Sequence, residues 1–534
     1  LSLLVHPSWL AGSSQQGGCF NDPPDATSAW LQDRASTLVL LEIRGTLPAT
    51  VRCPVTGTTI STNSGTVPRS GRFTCGDCGK QQSVVEALKA SGCNGPFAPF
   101  AIQGYCPECD LSQAAYSGRF FETPQDSSSL SASHQEWMER AKADLSDWWP
   151  TSSLPFGHLT HERNPVPDHG FTHWHHMFNA IQLLTHSQIL RTLATSGSHG
   201  WKVREFVLGA FQQYLRNQNL FCFWDRGYDK LVPHMSNNNY HPKSNIVQNS
   251  VFSKLGRGNW ASCCDGLFEG IAWAREPWEL LNTEQIKRQK PDLKVSGKSE
   301  KVATGDPVRP FKELWCTSAS DIEKAASESI DLVITDPPFE GLLHYSELAD
   351  FFYVWLRLVL KDHYPEHFKA EYSPKTLEAV ANPARHGDDA GAFYRRMLTQ
   401  CWREAHRILK PAGILAFTFH HSQDEPWVNV LESLFEAGFY LEAIYPIRSD
   451  ETKGEGEFGS KTVEYDMIHV CRKRLEEPTP VSWARMRKAV LADIQQLTQV
   501  LESHSKAGLP AADLQVIRRG KALEYFSRHY GKVY

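Results

Sequence analysis

Residues 331–339 of this chain read Asp-Leu-Val-Ile-Thr-Asp-Pro-Pro-Phe, and the last four carry the most chemistry. An exocyclic amine on a nucleobase is a poor nucleophile, because its lone pair is delocalised into the ring. Two acceptors that take its two N–H bonds localise that pair. The Asp336 carboxylate and the Pro337 carbonyl are such acceptors. Pro337 and Pro338 hold the loop extended, with φ at about −65°, so the acceptors keep still. Phe339 offers a flat face to a base turned out of its stack. Asp336, Pro337, Pro338 and Phe339 are therefore the candidate catalytic set, suited to methyl transfer onto an amino nitrogen. Asp-Pro-Pro is also ordinary turn chemistry, so its neighbours must decide.

Those neighbours form a pattern. Leu332 to Thr335 is short, apolar and β-branched, as a buried central parallel strand requires. After the motif, Leu348, Phe351, Phe352, Trp355, Leu356 and Val359 recur at helical spacing. A second helix is predicted over 391–410, stopped by Lys410-Pro411-Ala412-Gly413, with a strand over Ile414–Phe419. Strand, loop, helix, strand is the doubly wound α/β pattern, in which ligands sit at the carboxyl ends of strands. Next come a helix over 427–436, a strand over 438–446 and an antiparallel strand over 466–472. The polar loop Arg448–Glu464, with Gly454, Gly456, Gly459 and Lys461, would share an edge with Asp336 as a lid or phosphate contact. His420 and His421 would end a strand on that edge, but direct amine-to-methyl transfer needs no strong base.

At 534 residues the chain has room for two or three domains. Apolar content is 41% with a mean hydropathy of −0.40, and no run approaches the ~20 apolar residues of a membrane span. No signal peptide opens the sequence, so a cytoplasmic protein is expected. A net charge of −5 argues against whole-protein attraction to nucleic acid but allows a local basic groove. Thirteen cysteines, partly in Cys-x-x-Cys pairs, fit metal ligation in a reducing compartment better than a disulfide framework.

Two such pairs, Cys75-Gly-Asp-Cys78 and Cys106-Pro-Glu-Cys109, can present four thiolates to one tetrahedral zinc. The intervening segment is Gly/Ser/Pro-rich and too thin for a core, so metal binding would supply folding energy. A four-thiolate site is closed and structural. Cys53 and Cys93 are the substitutes if one of the four is wrong. Downstream, a Ser-rich linker leads to His158, His161, His169, His173, His175 and His176. A second metal site is conceivable, but the spacing matches no closed set, and capping and core roles suit these histidines better. Residues 180–225 read as helical, and the loop Asn237–Lys243 with Lys254 and Arg257 is a candidate nucleic-acid contact or a solvated loop.

Taken together, these segments resemble the zinc-ribbon-containing adenine-specific DNA methylases. The matching pieces are Tyr105-Cys-Pro-Glu-Cys-Asp110, Gly118-Arg-Phe-Phe121 and Phe171-Thr-His-Trp-His-His-Met-Phe178. With them go Asp336-Pro-Pro-Phe339 and its sequel from His344 to Arg357. The resemblance covers most of residues 45–475. It implies S-adenosylmethionine as cofactor, with transfer to adenine N6 in DNA. Asp rather than Ser at the head of the motif resembles the adenine-type loop. Restriction or phage-defence loci would be the setting, with other subunits of a defence or modification system as partners. The resemblance also places Ser318 and Asp321, after Leu314–Thr317, near the cofactor's adenine at the end of the third strand.

One element of the family pattern is not found, the F-x-G-x-G loop that cradles the cofactor's methionine. Gly454-Glu-Gly456 and Gly256-Arg-Gly258 neither follow a strand nor open a helix. With Leu1 as first residue, a missing N-terminal segment is expected, or a cofactor half supplied by another chain. An RNA or protein amino-methyltransferase and a cofactor-deficient DNA-binding subunit are the competing readings. The expected fold is α/β: a Rossmann-like methyltransferase sheet in the C-terminal part, an inserted zinc ribbon and a mostly helical middle region. The expected divisions are 1–45 as an N-terminal remnant, 46–125 as the zinc ribbon and 126–300 as the helical insertion. Then follow 301–475 as the catalytic half and 476–534 as a helical extension whose basic, aromatic tail touches DNA or a partner.

Overall fold

Among the described residues of a computed structural model, the buried apolar side chains collect in two large cores, one in each unit, with a small third cluster at Met486, Val490 and Ile494. The structure describes residues 48–534, leaving out 53–58, 62–71, 75–79, 92–101, 113–117, 123–127, 198–199, 226–229, 237, 243–245, 253–256, 283–298, 304–306, 308–312, 420, 422–423, 449–464 and 505–510. One unit holds the residues up to Arg275 together with Ser346–Ser373. The other holds Glu276–Tyr345 and Pro374–Tyr534. The protein is thus mixed α/β, and among the described residues no helix is long and apolar enough to cross a membrane.

The first unit is mainly helical. Its longer helices are α1 (Ser128–Arg140), α2 (Ala180–Thr195), α3 (Trp201–Arg216) and α4 (Trp260–Arg275), joined by α5 (Tyr345–Leu360) from Ser346 onward. Asn179 starts α2 with a capping box, its side chain taking the Gln182 N–H while Gln182 returns to the Asn179 N–H. The apolar stripe on α5 packs into this unit. Phe351 stacks on Phe178 at 5.6 Å, and Trp355 meets Phe178 edge-on at 5.2 Å. The helix that the sequence predicts after the motif is therefore present, but its stripe belongs to the helical core. The 180–225 stretch resolves into α2 and α3, after which Phe223–Asp225 pairs with Lys230–Val232. Short antiparallel ribbons precede the helices, among them Ile102–Tyr105 with Arg119–Glu122.

The second unit is built on a mixed four-stranded sheet. Its strands are β1 (Ile330–Thr335), β2 (Leu409–Thr418), β3 (Phe439–Arg448) and β4 (Tyr465–Lys473), in the order β1-β2-β4-β3. β1 and β2 are parallel, and β4 runs antiparallel to both its neighbours. Helices α6 (Ala390–Ile408) and α7 (Glu425–Glu436) flank β2 in sequence, as the apolar periodicity requires.

Three sequence expectations change here. Among the described residues β1 ends the four-stranded order rather than lying at its centre, and Leu332 and Ile334 are exposed at 49% and 74%. Lys410–Gly413 does not stand between helix and strand but lies inside β2, which starts at Leu409 opposite Ile330. The register shifts before Ile414 meets Leu332, and this irregularity absorbs the extra residues. A Cβ on Gly413 would meet Leu409 Cδ2 at 2.9 Å and Lys410 O at 3.0 Å, so the fold-back needs glycine. The C-terminal helices, α8 (Trp483–His504) and α9 (Ala511–Arg528), are not an extension. Val516 and Ile517 are buried in the sheet's own core, and Ser527 Oγ accepts the Leu441 N–H at 2.9 Å. Two basic residues of that tail form ion pairs within the unit. Arg519 pairs with Asp424, and Lys521 pairs with Asp493 and Glu524.

Candidate functional site

Asp336 follows the last residue of β1 and is exposed at the carboxyl end of the sheet. Thr418, the last residue of the parallel neighbour β2, donates its hydroxyl to Asp336 Oδ1 at 2.6 Å. Among the described residues the carboxylate has no other partner, so Oδ2 is open to an incoming donor. The next two carbonyls differ. Pro338 O accepts twice, from the buried Tyr394 phenol of α6 at 2.5 Å and from the Glu340 N–H at 3.1 Å. Pro337 O has no partner among the described residues. One oxygen of the exposed Asp336 carboxylate and the carbonyl of the buried Pro337 are thus both without a partner among the described residues, on a backbone that two prolines stiffen.

Phe339 is half-buried and meets Phe419 edge-on at 5.2 Å. Phe419 in turn meets Trp427 in the same way. Tyr345 lies near Asp336, and its phenol is raised above the ordinary tyrosine range by partial burial, then by the charges of Asp336 and Glu378. The structure therefore assembles Asp336, Pro337, Pro338 and Phe339 as one loop and adds Thr418, Tyr394 and Tyr345. Thr418 was findable in sequence as the end of the second strand. Tyr394 sits inside an ordinary amphipathic helix and gave no signal.

Ser318 and Asp321 lie elsewhere. They close a tight turn, with the Asp321 N–H on Ser318 O at 3.1 Å, and residues 313–317 before them belong to no strand. The following Ile322 N–H binds Glu404 Oε1 at 2.7 Å, Arg407 reaches Ile322 O, and Asp321 acts electrostatically on Arg407. Glu404 and Arg407 close α6 just before β2 begins. This turn is therefore tied to the amino ends of β1 and β2, whereas Asp336 stands at their carboxyl ends. The geometry does not gather these two residues with the motif.

The second cysteine pair has the form of a metal knuckle. Cys106 caps the short helix Pro107–Leu111, and its Sγ accepts the Cys109 N–H at 3.4 Å. That donation pulls the Cys106 thiol below its ordinary range, while the hydrogen bond and charge of Cys106 push Cys109 up. Gly118, at φ 75°, closes the turn by accepting the Cys106 N–H at 2.7 Å, and a Cβ there would strike Cys106 O at 2.4 Å. Tyr105 Oη donates to Asp110 at 2.6 Å across the same turn. These features fit half of a four-thiolate zinc site. Cys75 and Cys78, like Cys53 and Cys93, lie outside the described residues.

The histidines make no closed ligand set. Among the described residues no group of three or more His, Cys, Asp or Glu side chains is placed to hold a metal. His175 Nδ1 faces Pro150 O at 3.1 Å, and its pKa falls to about 4 through burial and the nearby His176 and His173. His176 Nδ1 faces Gly170 O at 3.2 Å. Both contacts are to backbone carbonyls. His420 and the Gly454–Lys461 loop fall outside the described residues, as do Asn237, Lys243 and Lys254. His421 O accepts the Trp427 indole at 2.9 Å.

Compared with known proteins, the chain matches no family model and no curated protein. What it can do must be argued from the loop itself.

Proposed function

We propose that this chain is an S-adenosylmethionine-dependent methyltransferase acting on the N6 amine of adenine in DNA, in a restriction or phage-defence setting. One observation carries the reading. At the carboxyl end of a parallel strand, Asp336 Oδ2 and Pro337 O beside Phe339 have no partner among the described residues, while Thr418 holds Asp336 Oδ1 and Tyr394 holds Pro338 O. An amine held there gives one N–H to the carboxylate and one to the carbonyl, which localises its lone pair. Because the acceptors are fixed before the amine arrives, little reorganisation is needed at transfer. The strand order β1-β2-β4-β3, with its last strand antiparallel, supports one half of a Rossmann-like methyltransferase sheet. The family resemblance supplies adenine, DNA and the cofactor.

S-adenosylmethionine, when bound, offers an electrophilic methyl group on a sulfonium. Ser318 and Asp321 do not fit a donor site that opens on Asp336, and no step is assigned to them. Their placement favours a second reading, in which this chain holds the target base and a partner subunit supplies the donor half. Calorimetric titration of the purified chain with S-adenosylmethionine separates the two. Saturable heat, with transfer to duplex DNA that Asp336→Ala abolishes, supports the enzyme. Absence of heat sinks autonomous catalysis. The same assay on an RNA of equal sequence tests the choice of polynucleotide. The zinc knuckle is read as structural, and Cys75→Ser with Cys106→Ser should remove stoichiometric zinc from the purified protein. Zinc retained in the double variant would rule out these ligands.

A further inference from the structure

Glu340, the residue after the motif, has φ 52°, a left-handed conformation that non-glycine side chains resist. Its surroundings hold it there. Asn429 of α7 donates its amide to Glu340 Oε1 at 2.9 Å. Glu340 O accepts the Ala381 N–H at 3.1 Å, and the Glu340 N–H donates to Pro338 O at 3.1 Å. Neighbouring Gly341 is pressed against the same strut, since a Cβ there would meet Ala381 O at 2.8 Å. Half-burial raises the Glu340 carboxyl, and the Asn429 amide opposes that rise. Backbone outliers over-determined in this way gather where geometry must be held for function.

The consequence falls on the two prolyl carbonyls. The tight turn over Pro338–Glu340 brings the Glu340 N–H back onto Pro338 O, which Tyr394 already holds from α6, and the Asn429 and Ala381 contacts fix Glu340 in that turn. Pro338 O is spent twice, and Pro337 O is the carbonyl left open. We propose that Glu340, held by Asn429, is a positioning residue that selects the Pro337 carbonyl as the amine acceptor. This rests on the reading of Asp336–Phe339 as an amine-binding loop. Glu340 acts through Pro338 and touches neither base nor methyl group.

Glycine separates this role from simple packing. Glu340→Gly accepts the left-handed backbone without strain, so the fold is not penalised, but it loses the tie to Asn429 and lets the loop relax. The full chain is assayed for methyl transfer to an adenine-containing duplex, alongside Glu340→Gln and Asp336→Ala. Glu340→Gly should melt at or above the parent temperature while kcat falls about tenfold to a hundredfold, as misplacement of reacting groups predicts. Its KM for S-adenosylmethionine should stay within about twofold, because the loss lies at the acceptor. Glu340→Gln can still accept from Asn429 and should recover most of the loss. Parent-like kcat in Glu340→Gly, with Asp336→Ala inactive, overturns the positioning role and leaves the amine-binding reading standing. A kcat that falls only in step with a lower melting temperature also overturns it. Transfer that survives Asp336→Ala, or is missing from the parent chain, overturns the amine-binding reading and this inference with it.

Discussion

The aromatic core of the helical unit and the Asp336 edge of the sheet unit both gather residues that look chemical, and they treat them oppositely. In the first, His186 is fully buried among Phe178, Phe211, Tyr214 and Trp355. Its Nε2 is committed to Gln218 O at 2.9 Å, and burial drives its pKa down to about 4, so it stays neutral. In the second, a carboxylate is exposed with one oxygen tied and one open, next to a carbonyl without a partner among the described residues. Residue type does not separate the two places, since imidazole is as capable as carboxylate. What separates them is access to an incoming donor. In the helical core the free lone pair, on His186 Nδ1, is sealed away without a partner, whereas the sheet edge holds one on an exposed carboxylate.

Asp336→Ala is the strongest challenge to that contrast. Transfer should fall at least a hundredfold, the scale of losing a preorganised polar group, while thermal melting barely moves because the side chain is exposed. A large melting shift would mean that the carboxylate is structural after all. Trp355→Ala tests the other side. Its indole is fully buried, and large-to-small changes of this kind cost about 3–5 kcal/mol in chemical denaturation. A cost near zero would show that the aromatic core is not what holds the helical unit.

His186 gives a pH signature of the same contrast. Its folded pKa, about 4, lies below the unfolded value of about 6.5, so below pH 6.5 the unfolded chain binds the extra proton. Stability should therefore be whole above pH 6.5 and fall as pH drops towards 4. This group alone should lose roughly 2 kcal/mol by pH 5. Denaturant melts of His186→Gln should show a flatter slope over that window, and an unchanged slope would remove His186 from the account. The smallest effect sharpens the sheet edge. Thr418→Val should lower kcat by about tenfold through a looser carboxylate, and Thr418→Ser should restore it. Equal activity in the valine variant would free Asp336 from that hydroxyl.

Much of the sheet unit was legible because its segments speak locally. Local sequence pattern marks α7, β3 and β4 to within two residues but only the second half of β2, and the expected antiparallel last strand is present. The motif was legible because Asp-Pro-Pro-Phe combines acceptors with fixed backbone. What failed was long-range. The exposure of Leu332 and Ile334 depends on which strands neighbour β1, and a run of β-branched residues reads alike at an edge or a centre. That Leu348–Val359 buries itself against residues 178–214 is invisible to any window of twenty residues. Tyr394 belongs to the buried stripe of its helix, so nothing marks its hydroxyl as the partner of Pro338 O, and Asn429 acts through one side chain on a helix whose apolar stripe does not need it. Ser318 and Asp321 were placed by resemblance, and the turn they form is set by Arg407 and Glu404, some eighty positions away.

The chain leaves the sheet unit after Tyr345 and comes back at Pro374. A gene fragment cut at Arg275 would therefore lack Phe351 and Trp355, and the helical half made from it would be born with its keystone ring missing. A fragment starting at Glu276 would carry that greasy helix with no bed to lie in, and would be prone to clump. Anyone dissecting this protein into expressible pieces should splice Ser346–Ser373 onto the helical piece and bridge Tyr345 to Pro374 with a short linker in the other.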